Sequence, residues 1–218
     1  MASWIVHLQI AEKLLDLVNE ENQIQFIVGN IGPDCGKIVE NSDDFEPSSK
    51  ITHWKISVDK SKLDAEGFFA TYLLHPDKDK KAFYLGYYVH LITDMMWSNQ
   101  IYEPVIRKKT EDEIKKDFIR KIKRDWYDLD HLYLRNHPEF KGFQLFSQIK
   151  QFDNIYLDYY SKNAFTDQIK LISDFYLGEH SGLDHEYIYL TESRREDFIE
   201  EVSAFIRRDL KEKMVETR

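Results

Sequence analysis

The sequence has little of what most extracellular and membrane folds depend on. Among 218 residues there is a single cysteine, Cys35. That excludes an internal disulfide framework and any multi-cysteine zinc site, and leaves His and carboxylates as the available metal ligands. Only 8 glycines and 5 prolines punctuate the chain, too few for a fold made of tight turns. No run of about 18 apolar residues exists, which argues against a membrane-spanning helix, and the mean hydropathy is −0.56. Positive charge is also in deficit: Lys+Arg 30 against Asp+Glu 39 gives a net charge of −9. This is the wrong sign for a general grip on duplex nucleic acid or anionic lipid. The opening MASWIVHLQIAEKLL has no basic stretch, and His7, Gln9, Glu12 and Lys13 interrupt the apolar core a signal peptide needs. A cytoplasmic location without stable membrane insertion is the expectation. Several motifs are missing too: G-x-S-x-G, the P-loop G-x-x-x-x-G-K-[ST], the dinucleotide G-x-G-x-x-G, and the His-Asp dipeptide of HD-type phosphohydrolases, since Asp130-His131 and Asp184-His185 run in the reverse order.

What remains is rich in Leu, Ile, Lys, Glu and Asp, a composition suited to long helices. The expectation is an all-α fold, with residues 1–218 as one domain. The first helix is predicted from an N-cap at Ser3 to about Asn19, with His7 inside it. QIQFIVGNIGPDCG is an apolar segment that Gly29, Gly32, Pro33 and Gly36 turn, placing Asp34 at its exit. Residues 40–49 read as a loop, and ITHWKI around His53 as a strand or an extended loop. DAEGFFATYLL reads as a helix ending near His75-Pro76. Residues Lys80 to Trp97 form the most apolar helix, predicted to be central. Amphipathic helices are expected over Thr110 to Leu134, Phe152 to Leu177, and Thr191 to Val215, the last capped by Thr191.

Within the central helix His90 and Asp94 are four residues apart, so both side chains reach toward one point. Burying an imidazole and a carboxylate among Tyr87, Tyr88, Leu91, Ile92 and Met95 requires a partner. On spacing alone that partner is either a metal or the other member of the pair. Asp34 on its Gly/Pro turn, His53 in its aromatic setting, and His7 on an inward helix face enlarge the set to three histidines and two carboxylates, donors that suit zinc.

W-x-x-H followed by IAEKLL, then GNIGPDCG, ITHW and LGYYVHLITDMMW, resembles the successive signatures of the zinc-dependent phospholipase C family, related to the single-strand nucleases and 3'-nucleotidases. The similarity runs from about Trp4 to Ile106. It implies an all-α fold with a cleft holding up to three zinc ions. It also implies that Asp34, His53 and His90 ligate one zinc, that Asp94 bridges to a second held partly by His7, and that Asp34 orients the attacking water. Two departures stand out. Secreted relatives use the amine and carbonyl of an N-terminal tryptophan, whereas three residues precede Trp4. After Asp94, Asn99, Gln100 or Glu103 stands where a histidine is expected, and RDWYDLDHLYL offers Asp128 as the later-helix ligand, with Asp125 or His131 as alternates. One or two ions are therefore expected, with manganese or iron as alternatives to zinc.

His180, Asp184 and His185 in LGEHSGLDHEY read either as further ligands or, preferentially, as a polar turn capping neighbouring helices. His75 and His137, each before a proline, read as turn residues, and KKTEDEIKKDFIRKIKR as a solvated helix face. The aromatics Phe152, Tyr156, Tyr159 and Tyr160 read as core and helix contacts rather than a base-stacking surface. The function implied is metal-dependent hydrolysis of a small phosphoester, either a soluble phosphomonoester or phosphodiester or a phospholipid-like molecule. The alternative is a non-catalytic helical binding or scaffold protein with a structural metal site.

Overall fold

A computed structural model describes residues 1–42, 44–57, 62–110, 113–114 and 116–216, the last three by their backbone. The architecture is all-α, as expected. Its centre is α5 (Lys81–Trp97), buried from Ala82 through Asp94, because a helix apolar on every side must be surrounded. α1 (Trp4–Lys13), α2 (Gln23–Ile31), α4 (Ala65–Tyr72) and α10 (Glu192–Glu216) pack on it. α5 continues through a single π turn over Ser98–Tyr102 into α6 (Glu103–Ile106), whose second residue is Pro104. α7 (Lys116–Asn136), α8 (Lys141–Ser147) and α9 (Ala164–Leu177) follow along the chain. α8 has no counterpart among the predicted elements. Residues 111, 112 and 115 of the predicted Thr110 to Leu134 helix lie outside the described residues.

Several expectations are corrected. The first helix stops at Lys13 rather than Asn19. Leu14 N bonds Ala11 O at 3.0 Å, tightening the last turn, and Asp16 is drawn to Arg207 of α10 at 2.7 Å. Ser3 makes no side-chain cap; its hydroxyl donates to Asp130 Oδ1 at 2.8 Å. The predicted loop 40–49 holds half of a small antiparallel hairpin, β1 (Lys37–Ile38) against β2 (Phe45–Glu46). ITHWKI is neither strand nor extended loop. Ser48 O accepts from Ile51 N and Thr52 N, closing the short α3 (Ser49–Thr52) with His53 just past its end.

The stretch from Phe152 is not helical until Ala164. The Asn154 side chain bonds the backbone of Tyr156, Leu157 and Tyr160 and holds a compact turn instead. Its aromatics are core contacts all the same, with Tyr156 stacked on Phe83 at 4.0 Å. Thr191 does cap α10, its Oγ1 accepting from Arg194 N.

Candidate metal centre

α2 and α5 cross so closely that a Cβ on Gly29 would stand 2.0 Å from the Phe83 carbonyl oxygen, and one on Gly86 2.0 Å from the Phe26 carbonyl oxygen. Only glycine permits that approach. One consequence is that the Asn30 carbonyl oxygen lies 2.7 Å from His90 Nδ1. A carbonyl can only accept, so Nδ1 carries a proton and Nε2 is the nitrogen that turns inward. Burial pushes the ring's pKa down, but Asp94 and Asp34 beside it raise it overall, and a bound cation would displace the proton so held. Thr52 Oγ1, 2.9 Å from His53 Nδ1, holds that ring with its Nε2 turned inward.

The inward atoms converge. His53 Nε2 is 3.3 Å from Asp34 Oδ1 and 3.6 Å from Asp94 Oδ2. His90 Nε2 is 3.5 Å from Asp94 Oδ2, and His7 Nε2 is 3.3 Å from Asp94 Oδ1. These separations exceed good hydrogen bonds, which cluster near 2.7–3.2 Å. They match the edge of a tetrahedron, about 3.3–3.4 Å, that zinc imposes on ligands about 2.0–2.1 Å from it. His7 Nε2, His53 Nε2, His90 Nε2 and Asp94 Oδ2 are all buried with no hydrogen-bond partner. Orphaned polar atoms cost roughly 1–3 kcal/mol each, and several at one point call for a cation. The donors form two overlapping groups that share His90: His7, His90 and Asp94, and Asp34, His53 and His90. Imidazole and carboxylate together fit zinc.

The electrostatics agree with this fit. The His7 and His90 rings stack at 3.8 Å with planes parallel. Burial, followed by the charge of His90, lowers His7 to about 4, so at neutral pH it is an unprotonated donor. Burial pushes the Asp34 carboxyl up, but the nearby His53 ring and the positive charge of His90 leave it below the ordinary carboxylate range. Asp94 lies well below that range; burial there is outweighed by neighbouring positive charge and by the closeness of His90 and His7.

Beside the cluster opens a cavity of about 600 Å³. Its wall is mainly apolar, with Ile119, Ile122 and Trp126 from α7 and Leu171 from α9, and it also carries Lys37 and Lys123. Of the five clustered residues Asp34 alone lines it. The other Asp34 oxygen, Oδ2, accepts from Trp4 Nε1 at 3.0 Å, and the Ala2 amide donates to Asp94 Oδ1 at 2.8 Å.

Five of the six predicted ligands thus come together, on α1, on α5, just past α3 and in the turn after α2. Asp128 does not join them. Its carboxylate meets Arg124, His180 and His185, so the turn expected to cap helices instead sends two histidines back onto α7. Of the alternates, Asp125 accepts from Tyr189 N at 2.7 Å and His131 stacks on His180. Gln100 is bonded to Arg194. The supporting roles of Asn30 and Thr52 escaped prediction, their one sequence signal being adjacency to Gly29 and His53, while Trp4, noted for the W-x-x-H motif, carries no sequence sign of its bond to Asp34.

A family model described as zinc-dependent phospholipase C matches residues 6–180. No curated protein and no solved structure shows a significant match.

Proposed function

The chain belongs to the zinc-dependent phospholipase C family, and from that premise we propose that it is a metal-dependent phosphoester hydrolase centred on His7, Asp34, His53, His90 and Asp94, holding one or two ions. Bound there, zinc would draw the pKa of a water toward about 7 and offset charge developing on phosphoryl oxygens. The observation that carries the reading is the double position of Asp34, which is both a member of the donor cluster and part of the cavity wall. Trp4 and His53 fix the two oxygens of its carboxylate. Oδ2 keeps a second acceptor direction, with which it would accept a hydrogen bond from water entering by the cavity and orient it toward the phosphorus.

Ile119, Ile122, Trp126 and Leu171 offer an apolar surface that accommodates the non-polar part of a substrate and thins the water around the phosphoryl group. Lys123 brings positive charge to the wall of an acidic protein, where Lys37 is paired with Asp167 of the same wall. The substrate class is therefore a phosphomonoester or phosphodiester attached to an apolar group, short-chain phospholipids included.

The test is turnover of zinc-loaded protein across a panel of aryl phosphomonoesters, phosphodiesters and short-chain phosphatidylcholine, with elemental analysis of each preparation. Asp34→Asn is expected to lose about 10²- to 10⁴-fold in kcat while keeping zinc at His7, His90 and Asp94. Unchanged turnover in that variant would remove Asp34 from the reaction. Absence of turnover by the loaded wild type across the panel would instead favour a helical binding protein with a structural metal.

A further inference from the structure

Five side chains of α7 line the cavity, Ile119, Ile122, Lys123, Trp126 and Tyr127. Their spacing of three or four residues puts them on one face of the helix, and the two ends of that face differ. Tyr127 stands at the end beside the buried centre: its ring centroid is 6.1 Å from that of Trp4, whose indole donates to Asp34 Oδ2 at 3.0 Å. Ile119 lies about 12 Å away along the helix, at about 1.5 Å per residue. Phe175 packs on both aromatic rings, 5.7 Å from Tyr127 and 6.0 Å from Trp4, so the three brace one another and hold the phenol in place.

The polar atoms of these two residues are used differently. Trp4 Nε1 is spent on Asp34, whereas the hydroxyl of half-buried Tyr127 has no hydrogen-bond partner among the described residues. A phenol set in a mainly apolar wall gains from one. Burial, then the charges of Asp34 and Asp130, push the hydroxyl up to about 12, so at neutral pH it keeps its proton and can donate. Its best acceptor is an anion, because hydrogen bonds to ionised groups are the stronger ones. The carboxylates lining the cavity are engaged elsewhere, Asp34 with Trp4 and His53 and Asp167 with Lys37. Building on the hydrolase reading, we propose that Tyr127 is a substrate-binding residue whose hydroxyl donates to a non-bridging phosphoryl oxygen of an ester seated against Asp34. The orientation of the substrate follows. Its phosphoryl group lies at the Tyr127 end of the α7 face, and its apolar group runs past Trp126 and Ile122 toward Ile119.

The experiment measures binding of inorganic phosphate to zinc-loaded, full-length protein by calorimetry, together with kcat and KM on an aryl phosphomonoester, for wild type and Tyr127→Phe. The variant keeps the ring between Trp4 and Phe175 and removes one oxygen, so it is expected to fold and to hold as much zinc as wild type. Phosphate should bind it about 10- to 100-fold more weakly, the range expected for a lost hydrogen bond to a charged group. KM should rise by more than kcat falls, because the bond is made to bound substrate as well as to the transition state. Equal phosphate affinity in the two proteins would overturn the assignment, as would failure of the wild type to bind phosphate at millimolar concentration. A loss of phosphate affinity that tracks a loss of zinc or of thermal stability would overturn it too, by making the residue structural. Phosphate binding requires no turnover, so the two readings fail separately: a wild type that hydrolyses nothing yet binds phosphate through Tyr127 would remove the hydrolase and keep the donor.

Discussion

His90 Nδ1 donates to the Asn30 carbonyl oxygen at 2.7 Å across the tightest point of the α2–α5 crossing, so a helix-packing contact also aims a metal ligand. Gly86 holds that crossing. A Cβ there would meet not only Phe26 O but also Asn30 N, at 2.8 Å, and both are backbone atoms that cannot swing aside. Gly86→Ala is therefore expected to cost about 1–3 kcal/mol or more through overpacking. By displacing Asn30 it should also weaken zinc by about 10- to 100-fold. Thermal unfolding and zinc competition read the two effects separately. A destabilised variant with unaltered zinc affinity would show that Asn30 does not support His90.

The parts of this centre that sequence reasoning reached are those whose geometry is local. His90 and Asp94 are one helical turn apart on a helix too apolar to be anything but central, and Asp34 leaves a turn that Gly32 and Pro33 impose. The partners of Asp128 were out of reach, because they arrive from a loop more than fifty residues downstream, on either side of Gly182, whose φ is +78°. The same limit explains the missed turn at Asn154. Phe152, Tyr156, Tyr159 and Tyr160 mimic a helical period, whereas the side chain of Asn154, a residue apt to replace backbone bonds with its own, decides the conformation.

Metal removal tests whether the orphaned atoms of the buried centre mark a binding site. Zinc that binds only the folded chain stabilises it by about 2.7 to 4.1 kcal/mol when free zinc is about 100 to 1,000 times its dissociation constant. Chelator treatment should lower the melting temperature, and zinc should restore it. In Asp94→Ala, which lacks the carboxylate facing His7, His53 and His90, the chelator-sensitive shift should shrink sharply. A melting temperature indifferent to chelator in the wild type would be incompatible with a metal at this cluster.

A second buried charge ties α10 to α1 and α7. Arg195, 1% exposed, lies 3.6 Å from Asp130 Oδ1, while Ser3 and Tyr176 donate to the same carboxylate at 2.8 and 2.6 Å. Its guanidinium also bonds Gln9 and stacks on Tyr133 at 4.9 Å. Arg195→Ala leaves Asp130 buried without its counter-charge and is expected to cost about 3–5 kcal/mol. The volume-matched Arg195→Met/Asp130→Leu pair should recover most of that loss. Denaturant unfolding of the single and paired variants decides the matter, and a pair no more stable than the single variant would mean that packing, not charge, dominates there.

Trp4 separates the roles of holding metal and orienting Asp34. Its indole Nε1 donates to Asp34 Oδ2 at 3.0 Å, and its ring packs at 6.1 Å from Tyr127, 6.0 Å from Phe175 and 6.2 Å from Tyr176. Trp4→Phe keeps an aromatic body in that nest and deletes only the donor. Since Asp34 meets the ligand cluster through Oδ1, zinc content should be unchanged. The carboxylate would be freer at the cavity wall, so kcat is expected to fall by about tenfold, at the lower end of outer-shell effects on a metal site, with KM little moved. Trp4→Leu removes the ring contacts as well and should lose both activity and thermal stability. If Trp4→Phe sheds zinc in proportion to its activity, the indole supports the metal rather than the carboxylate. If it loses neither, the orientation of Asp34 comes from His53 alone.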